Sequence, residues 1–197
     1  MDITVQGKNI DVGSALKSHV EEHLEQSVNK YFNHAIHATV TVSKEKTNLF
    51  KVDISINVGR GIVLQAQEIA NDPYPAFDTA NKILASRVKK YKSRLRDHHK
   101  RISELTEDDL SSLPAKYTAF QHMDDGAEAP DEGDEATVIA DLHVMIPTLS
   151  VGEAVMRLEL SDAPALMFKN SAHGGLNMIY RRKDGHVGWV DPTGNQK

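Results

Sequence analysis

The sequence contains no cysteine, which excludes disulfides, thiolate metal sites and cysteine nucleophiles. No run of eighteen apolar residues occurs, so no membrane-spanning helix is expected. The opening MDITVQGKNID has neither the charged start nor the apolar centre of a secretory signal. With the missing cysteine, that points to a cytoplasmic protein. No Ser/His/Asp set or pair of carboxylates stands out, and RGIVLQAQ lacks GxGxxG and a following helix. No catalytic site, cofactor or small-molecule substrate is therefore expected. What is present, 197 residues with 40% apolar and 26% charged, suits one large or two small globular domains.

Charge is scarce in one sign at a time. The chain carries a net −5, yet KILASRVKKYKSRLRDHHKR, residues 82–101, holds nine Lys or Arg against Asp97 alone. Residues 103–141 reverse this, with twelve acids and only Lys116. Like charges spaced three and four apart on a helix repel, so such a stripe is costly without a polyanion to neutralise it. It is the electrostatic footprint of a nucleic-acid contact.

The hydrophobic period divides the chain. DITVQG alternates as a strand, and Leu16, Val20, Leu24 and Val28 recur at helical spacing up to Tyr31-Phe32, with Gly13 or Ser14 as N-cap. Three alternating runs follow: Ile36 to Val42, Val52 to Val58, and Ile62 to Ala66 after a GRG turn. They predict an antiparallel meander with one apolar face. After NDPYPAFD, Phe77, Leu84, Val88, Tyr91 and Leu95 form the inward stripe of a second helix from about Pro75 to about Arg101. The fold class is α+β, with an N-terminal β-α-β-β-β-α two-layer sandwich over residues 1–102. Residues 103–141 read as an acidic linker mostly without structure, in which Leu110, Leu113, Tyr117 and Phe120 are spaced for a short docking turn.

Residues 142–197 read as a small β-rich domain with one short helix. SVGEAVMRLELS offers Ser150 as N-cap and Glu153 three residues on. ALMFKN, LNMIYRRK and HVGWVDP are strands, with SAHGG as the first turn and Asp184-Gly185 as a two-residue hairpin signal. About fifty residues without a disulfide make a marginal core, so completion against a second copy is expected.

A helix that packs its apolar stripe across a sheet suits backbone and shape recognition of folded RNA better than reading of a DNA major groove. A dimeric DNA-binding regulator using residues 82–101 remains the alternative. His19 and His23 lie one turn apart in HVEEH, but Val20 stands where a metalloprotease helix needs Glu. No third ligand is identifiable, and no metal is expected. Tyr74 reads as loop-anchored packing, and Trp189 as a core or interface residue. Arg181, Arg182 and Lys183 suit weak RNA binding, and equally well the solvent-facing charges of a hairpin.

The element order, GKNIDVGSALKSHVEEHLE, DPYPAFDTANKI, KKYKSRL and above all MFKNSAHGGLNMIYRRKDGHVGWVDP resemble the long form of the bacterial ribosome hibernation promoting factor family. The resemblance covers both predicted domains. His23 departs from a position where relatives often carry Lys, and Gly13 replaces a hydroxyl N-cap. The family resemblance implies a non-enzymatic protein that binds the small ribosomal subunit across the channel of messenger and transfer RNA, blocks translation in stationary phase and stress, and pairs ribosomes through tail self-association. It implies RNA contacts at Lys17, Lys30, Lys82, Arg87, Lys89, Lys90, Lys92, Arg94 and Arg96. It implies a homodimer interface at Phe168, Ile179, Tyr180, Val187 and Trp189, with no membrane partner.

Overall fold

Strand β1 (Asp2–Lys8) lies parallel to β2 (His37–Lys44), and β2, β3 (Phe50–Asn57) and β4 (Val63–Ala70) form an antiparallel meander in the order β1-β2-β3-β4. The first pair is parallel because helix α1 (Ser14–Asn29) carries the chain back across the sheet. The computed structural model describes residues 2–30, 37–45, 48–58, 61–104, 112–120, 138–192 and 194. The expected helix end at Tyr31-Phe32, Ile36, part of the GRG turn and Leu110 lie outside these.

The alternation does what it predicts. Val40, Val42, Val52, Ile54, Ile56, Leu64 and Ala66 are buried on one sheet face. Leu16, Val20, Leu24 and Val28 of α1 cover it, as do Phe77, Leu84, Val88, Tyr91 and Leu95 of α2 (Pro73–Glu104). Helix α1 starts with Gly13 as N-cap in extended conformation and no side-chain cap. Helix α2 begins two residues earlier than the periodicity suggests. Asp72 accepts a hydrogen bond from the Tyr74 amide at 2.8 Å, and Pro73 occupies the first helical position, where its missing N–H costs nothing.

Residues 103–141 differ from the expectation of little structure. Strands β5 (Leu113–Phe120) and β6 (Val138–Ile146) pair antiparallel as a two-stranded ribbon. Leu113, Ala115, Tyr117 and Ala119 face Ile146, Val144, Leu142 and Ala140 across the ladder, so one face is apolar. Lys116, Thr118, Asp141 and His143 line the other, with Lys116 and Asp141 paired at 3.0 Å. Acid content averaged over the segment hid this, because ten of its twelve acids fall outside the two strands and α2. Leu113, Tyr117 and Phe120 therefore sit on a strand rather than in a docking turn, and regular structure ahead of the tail begins at Val138 rather than Leu142.

The tail is a second sheet ordered β10-β9-β8-β7, from β7 (Thr148–Leu149), β8 (Ala165–Asn170), β9 (Leu176–Arg181) and β10 (Val187–Val190). Helix α3 (Val151–Leu160) crosses from β7 to the parallel β8 and opens with the capping box foreseen for Ser150 and Glu153. The β9–β10 loop is wider than a two-residue turn. The Arg182 amide donates to the His186 carbonyl at 2.8 Å around Lys183-Asp184-Gly185, with Gly185 at φ 83°. That is the three-residue form, in which glycine supplies the left-handed residue.

Helix α3 has two apolar sides. Ala154 and Leu158 face Leu149, Phe168 and Ile179 of the tail. Met156 and Leu160 instead join the cluster built on α1, α2 and the first sheet, and both are fully buried. The small tail thus completes part of its core against α2 and β4 of its own chain, where a second copy was expected. Burying each such side chain contributes about 1.5–3 kcal/mol. Leu160→Ala should lower the stability of the full chain by ~2–5 kcal/mol in urea unfolding. An unchanged midpoint would show that α3 does not hold this seat in solution.

Candidate nucleic-acid interface

The cations of α2 fall into two stripes, set by helical spacing. Lys82, Lys89 and Lys92 follow one another at seven and three residues, and all are exposed. They make no ion pair among the described residues. Arg96 continues that spacing on the helix, and its side chain lies outside the described residues. Arg87, Lys90 and Arg94 follow at three and four on the other flank of the apolar stripe, where α3 is packed.

On the first flank α2 is clasped to α1. Asn81 donates to Ser27 Oγ at 3.0 Å, and His19 Nε2 meets Asp78 Oδ1 at 2.9 Å. His19 and His23 stack with centroids 4.1 Å apart, and His23 Nδ1 donates to the His19 carbonyl at 2.9 Å. His19 is thus a half-buried packing residue committed to Asp78. Tyr74 lies in the first turn of α2 rather than a loop, edge-on to His19 at 5.1 Å. Lys17 and Lys30 are exposed on α1 and at its C-cap, beside exposed Glu21, Glu22 and Glu25. The continuous stripe of exposed cations therefore lies on α2.

On the second flank every expected RNA-facing cation is occupied. Arg87 donates to the Gln65 carbonyl and to Asp162 Oδ1, both at 2.8 Å. Lys90 donates to Glu159 Oε2 at 2.7 Å, and Arg94 reaches the Gly152 carbonyl at 3.4 Å. Lys90 and Arg94 also lie over the Tyr91 ring, 5.1 and 5.8 Å from its centroid. The hydrogen bond to Glu159 holds the Lys90 ammonium above the ordinary lysine range. Burial pushes the Glu159 carboxyl up, but hydrogen bonds from Lys90 and Tyr91 outweigh it and leave the pKa lowered. Burial, followed by the Glu159 contact, raises Tyr91. Sequence reasoning placed all these cations in one set. The tail's acids, 69 and 75 residues away, carried no periodic signal that could separate them.

The proposed dimer residues divide as well. Phe168 and Ile179 are fully buried beneath α3 within this chain. Val187 packs against the same cluster. Trp189 is half exposed, and its indole N–H donates to Asn177 Oδ1 at 2.8 Å. Tyr180 belongs to the opposite sheet face with Met167, Met178 and Val190, its ring over Gly188, where a Cβ would fall 2.5 Å from it. Met167 and Val190 are exposed, so this second face is the open one. Alternation in LNMIYR carries the distinction: Met178 and Tyr180 share a face that Asn177 and Ile179 do not. Arg181 is exposed but engaged, donating to the Ala163 and Leu158 carbonyls and to Asp162 at 3.0–3.2 Å. Arg182 pairs with Asp184 within the hairpin.

Comparison with known sequences matches both parts of the chain. Residues 3–96 match the family described as Sigma 54 modulation protein / S30EA ribosomal protein, and residues 133–188 match the family of its C terminus. The chain is 34% identical to a ribosome hibernation promotion factor of Rhizobium meliloti over 97% of each chain. It is 37% identical to one of Bradyrhizobium diazoefficiens, over 100% of this chain and 97% of the other. A chloroplast ribosome-binding factor of Spinacia oleracea is 25% identical over 96% of this chain and 67% of that protein. The architecture is thus the two-part S30EA type. The chain belongs to the ribosome hibernation promotion factor family, which is not enzymatic. Among the described residues no helix is long and apolar enough to cross a membrane.

Two measurements test this geometry. Asn177 also donates to Asp191 and accepts from Asn170, so Asn177→Ala strands several buried polar groups. It should cost about 1–3 kcal/mol and shift the fluorescence of Trp189, the sole tryptophan. An unaltered spectrum would reject the contact. The lowered Glu159 pKa means that its contribution is present above the ordinary glutamate value and fades as pH falls through the folded one. The raised Lys90 pKa means that its share is lost only as pH rises through that value, far above neutrality. Glu159→Gln should therefore lose less stability than the native chain as pH falls below the ordinary glutamate value, by at most ~1 kcal/mol for so exposed a pair.

Proposed function

We propose that this chain is a ribosome hibernation factor whose residues 1–102 bind ribosomal RNA of the small subunit across the messenger and transfer RNA channel and silence translation. Residues 142–197 pair ribosomes by self-association, and residues 103–141 connect the two. The observation that carries the reading is the end-to-end similarity to ribosome hibernation promotion factors. The exposed Lys82, Lys89 and Lys92 stripe supplies a chemically suitable contact, since phosphate neutralisation by lysine needs charge and access but no base-specific geometry. The open tail face bearing Met167, Met178, Tyr180 and Val190 is the surface for the second copy. Pairing there converts two bound chains into a bridge between particles, with the connecting segment setting the effective concentration. A cytoplasmic role in stress or stationary phase follows from the same reading.

Sucrose-gradient sedimentation with purified ribosomes tests both halves. Lys82→Glu with Lys89→Glu and Lys92→Glu should weaken co-sedimentation at least about tenfold and flatten its salt dependence by roughly 0.7–0.9 per lost phosphate contact. Retention of full binding would remove the stripe from the interface. Met178→Asp with Val190→Asp should leave ribosome binding intact and abolish the paired species. Undiminished pairing would reject the open face.

A further inference from the structure

We infer that helix α3 and the RNA backbone compete for the same three cations, Arg87, Lys90 and Arg94, so that the tail covers half of the basic helix until RNA displaces it. This rests on the ribosome-binding reading above. The contacts run antiparallel along the two helices: Arg94 to Gly152, Lys90 to Glu159, Arg87 to Asp162. Two carboxylates and a carbonyl thus stand where a phosphate backbone would present its oxygens, and a guanidinium or ammonium binds either. Met156 and Leu160 seat the cover by packing into the cluster on α2 and β4.

The cover is built to be displaceable. Lys90 is 60% exposed, and the Arg94 contact, at 3.4 Å, is the longest of the three. Such pairs are screened by salt and weak individually. Lys82, Lys89 and Lys92 stay uncovered and make first contact. Once α3 lifts, Arg87, Lys90 and Arg94 add their charges to the contact, and the tail leaves with α3. RNA binding thereby frees the tail, and a tail held elsewhere frees the RNA site. By thermodynamic linkage the two effects are equal. The apparent dissociation constant is the intrinsic one divided by the fraction of competent chain, so the covered state should bind RNA more weakly than a released one.

The test is filter binding of full-length protein to purified small ribosomal subunits at graded salt. The release variant is Glu159→Gln with Asp162→Asn, which keeps an asparagine at the one α3 boundary position with φ 53°. Asp53→Asn with Asp184→Asn makes the same change in net charge away from α3. Trp189 fluorescence confirms that each folds, and Asp162→Asn alone serves if the pair does not. The release variant should bind about tenfold tighter, with a salt slope no shallower than the native chain's, since both bound states make the same phosphate contacts. The charge control should match the native chain, and Arg87→Ala in the released background should remove roughly 0.7–0.9 of that slope. Equal affinity for the native and release forms, with Lys89→Glu still weakening both, would overturn the competition while leaving the ribosome reading standing. An equal gain in the charge control would overturn it too. No binding by any form would overturn the ribosome reading and this inference together.

Discussion

One carboxylate ties the two parts of the chain. Asp162 accepts from Arg87 of α2 at 2.8 Å and from Arg181 of β9 at 3.2 Å. Arg87 is itself aimed by the Gln65 carbonyl of β4, and Arg181 by carbonyls at the end of α3. Four elements from both ends of the sequence thus converge on one side chain. As an ion pair it contributes little, because the partners are a quarter or more exposed. Its effect is to set position. Apolar burial of Met156 and Leu160 drives α3 onto α2 without fixing a register. The fork of donors around Asp162 selects one.

This bridge also explains how an acidic chain carries a helix so heavily basic. Repulsion along Arg87, Lys90 and Arg94 is answered from within the molecule by Glu159 and Asp162, while Lys82, Lys89 and Lys92 keep their charge facing water. The segregation of charge visible in sequence is partly undone by folding, and the unanswered remainder marks the surface available to a polyanion.

Legibility tracked the range of the determining interaction. The first sheet and α1 could be read directly because Val40, Val42, Ile54 and Ile56 alternate within single strands and Leu16 to Val28 recur within one helix. Ser150 and Glu153 were legible because a capping box closes within three residues. The β5–β6 ribbon was missed because acids outside Leu113–Phe120 and Val138–Ile146 dominated the average over the segment. The burial of Phe168 and Ile179 beneath α3 was not legible because an apolar strand with two occupied faces does not announce which face a helix covers. The seat of α3 on α2 had no local signature. Met156 and Leu160 look like ordinary core positions of a small domain until a second body is placed beside them.

The spacing of the bridge in sequence has a kinetic consequence. Arg87 and Asp162 are separated by 75 residues, and β1, α1, the meander and α2 are complete before Glu159 or Asp162 is translated. At elongation rates of about 5–20 residues per second, roughly 4 to 15 s pass between the synthesis of the two partners. Every newly made molecule therefore has an interval in which the Arg87, Lys90 and Arg94 flank of α2 is bare. Its first seconds are spent as the uncovered form, and the covered form is the product of finishing the chain.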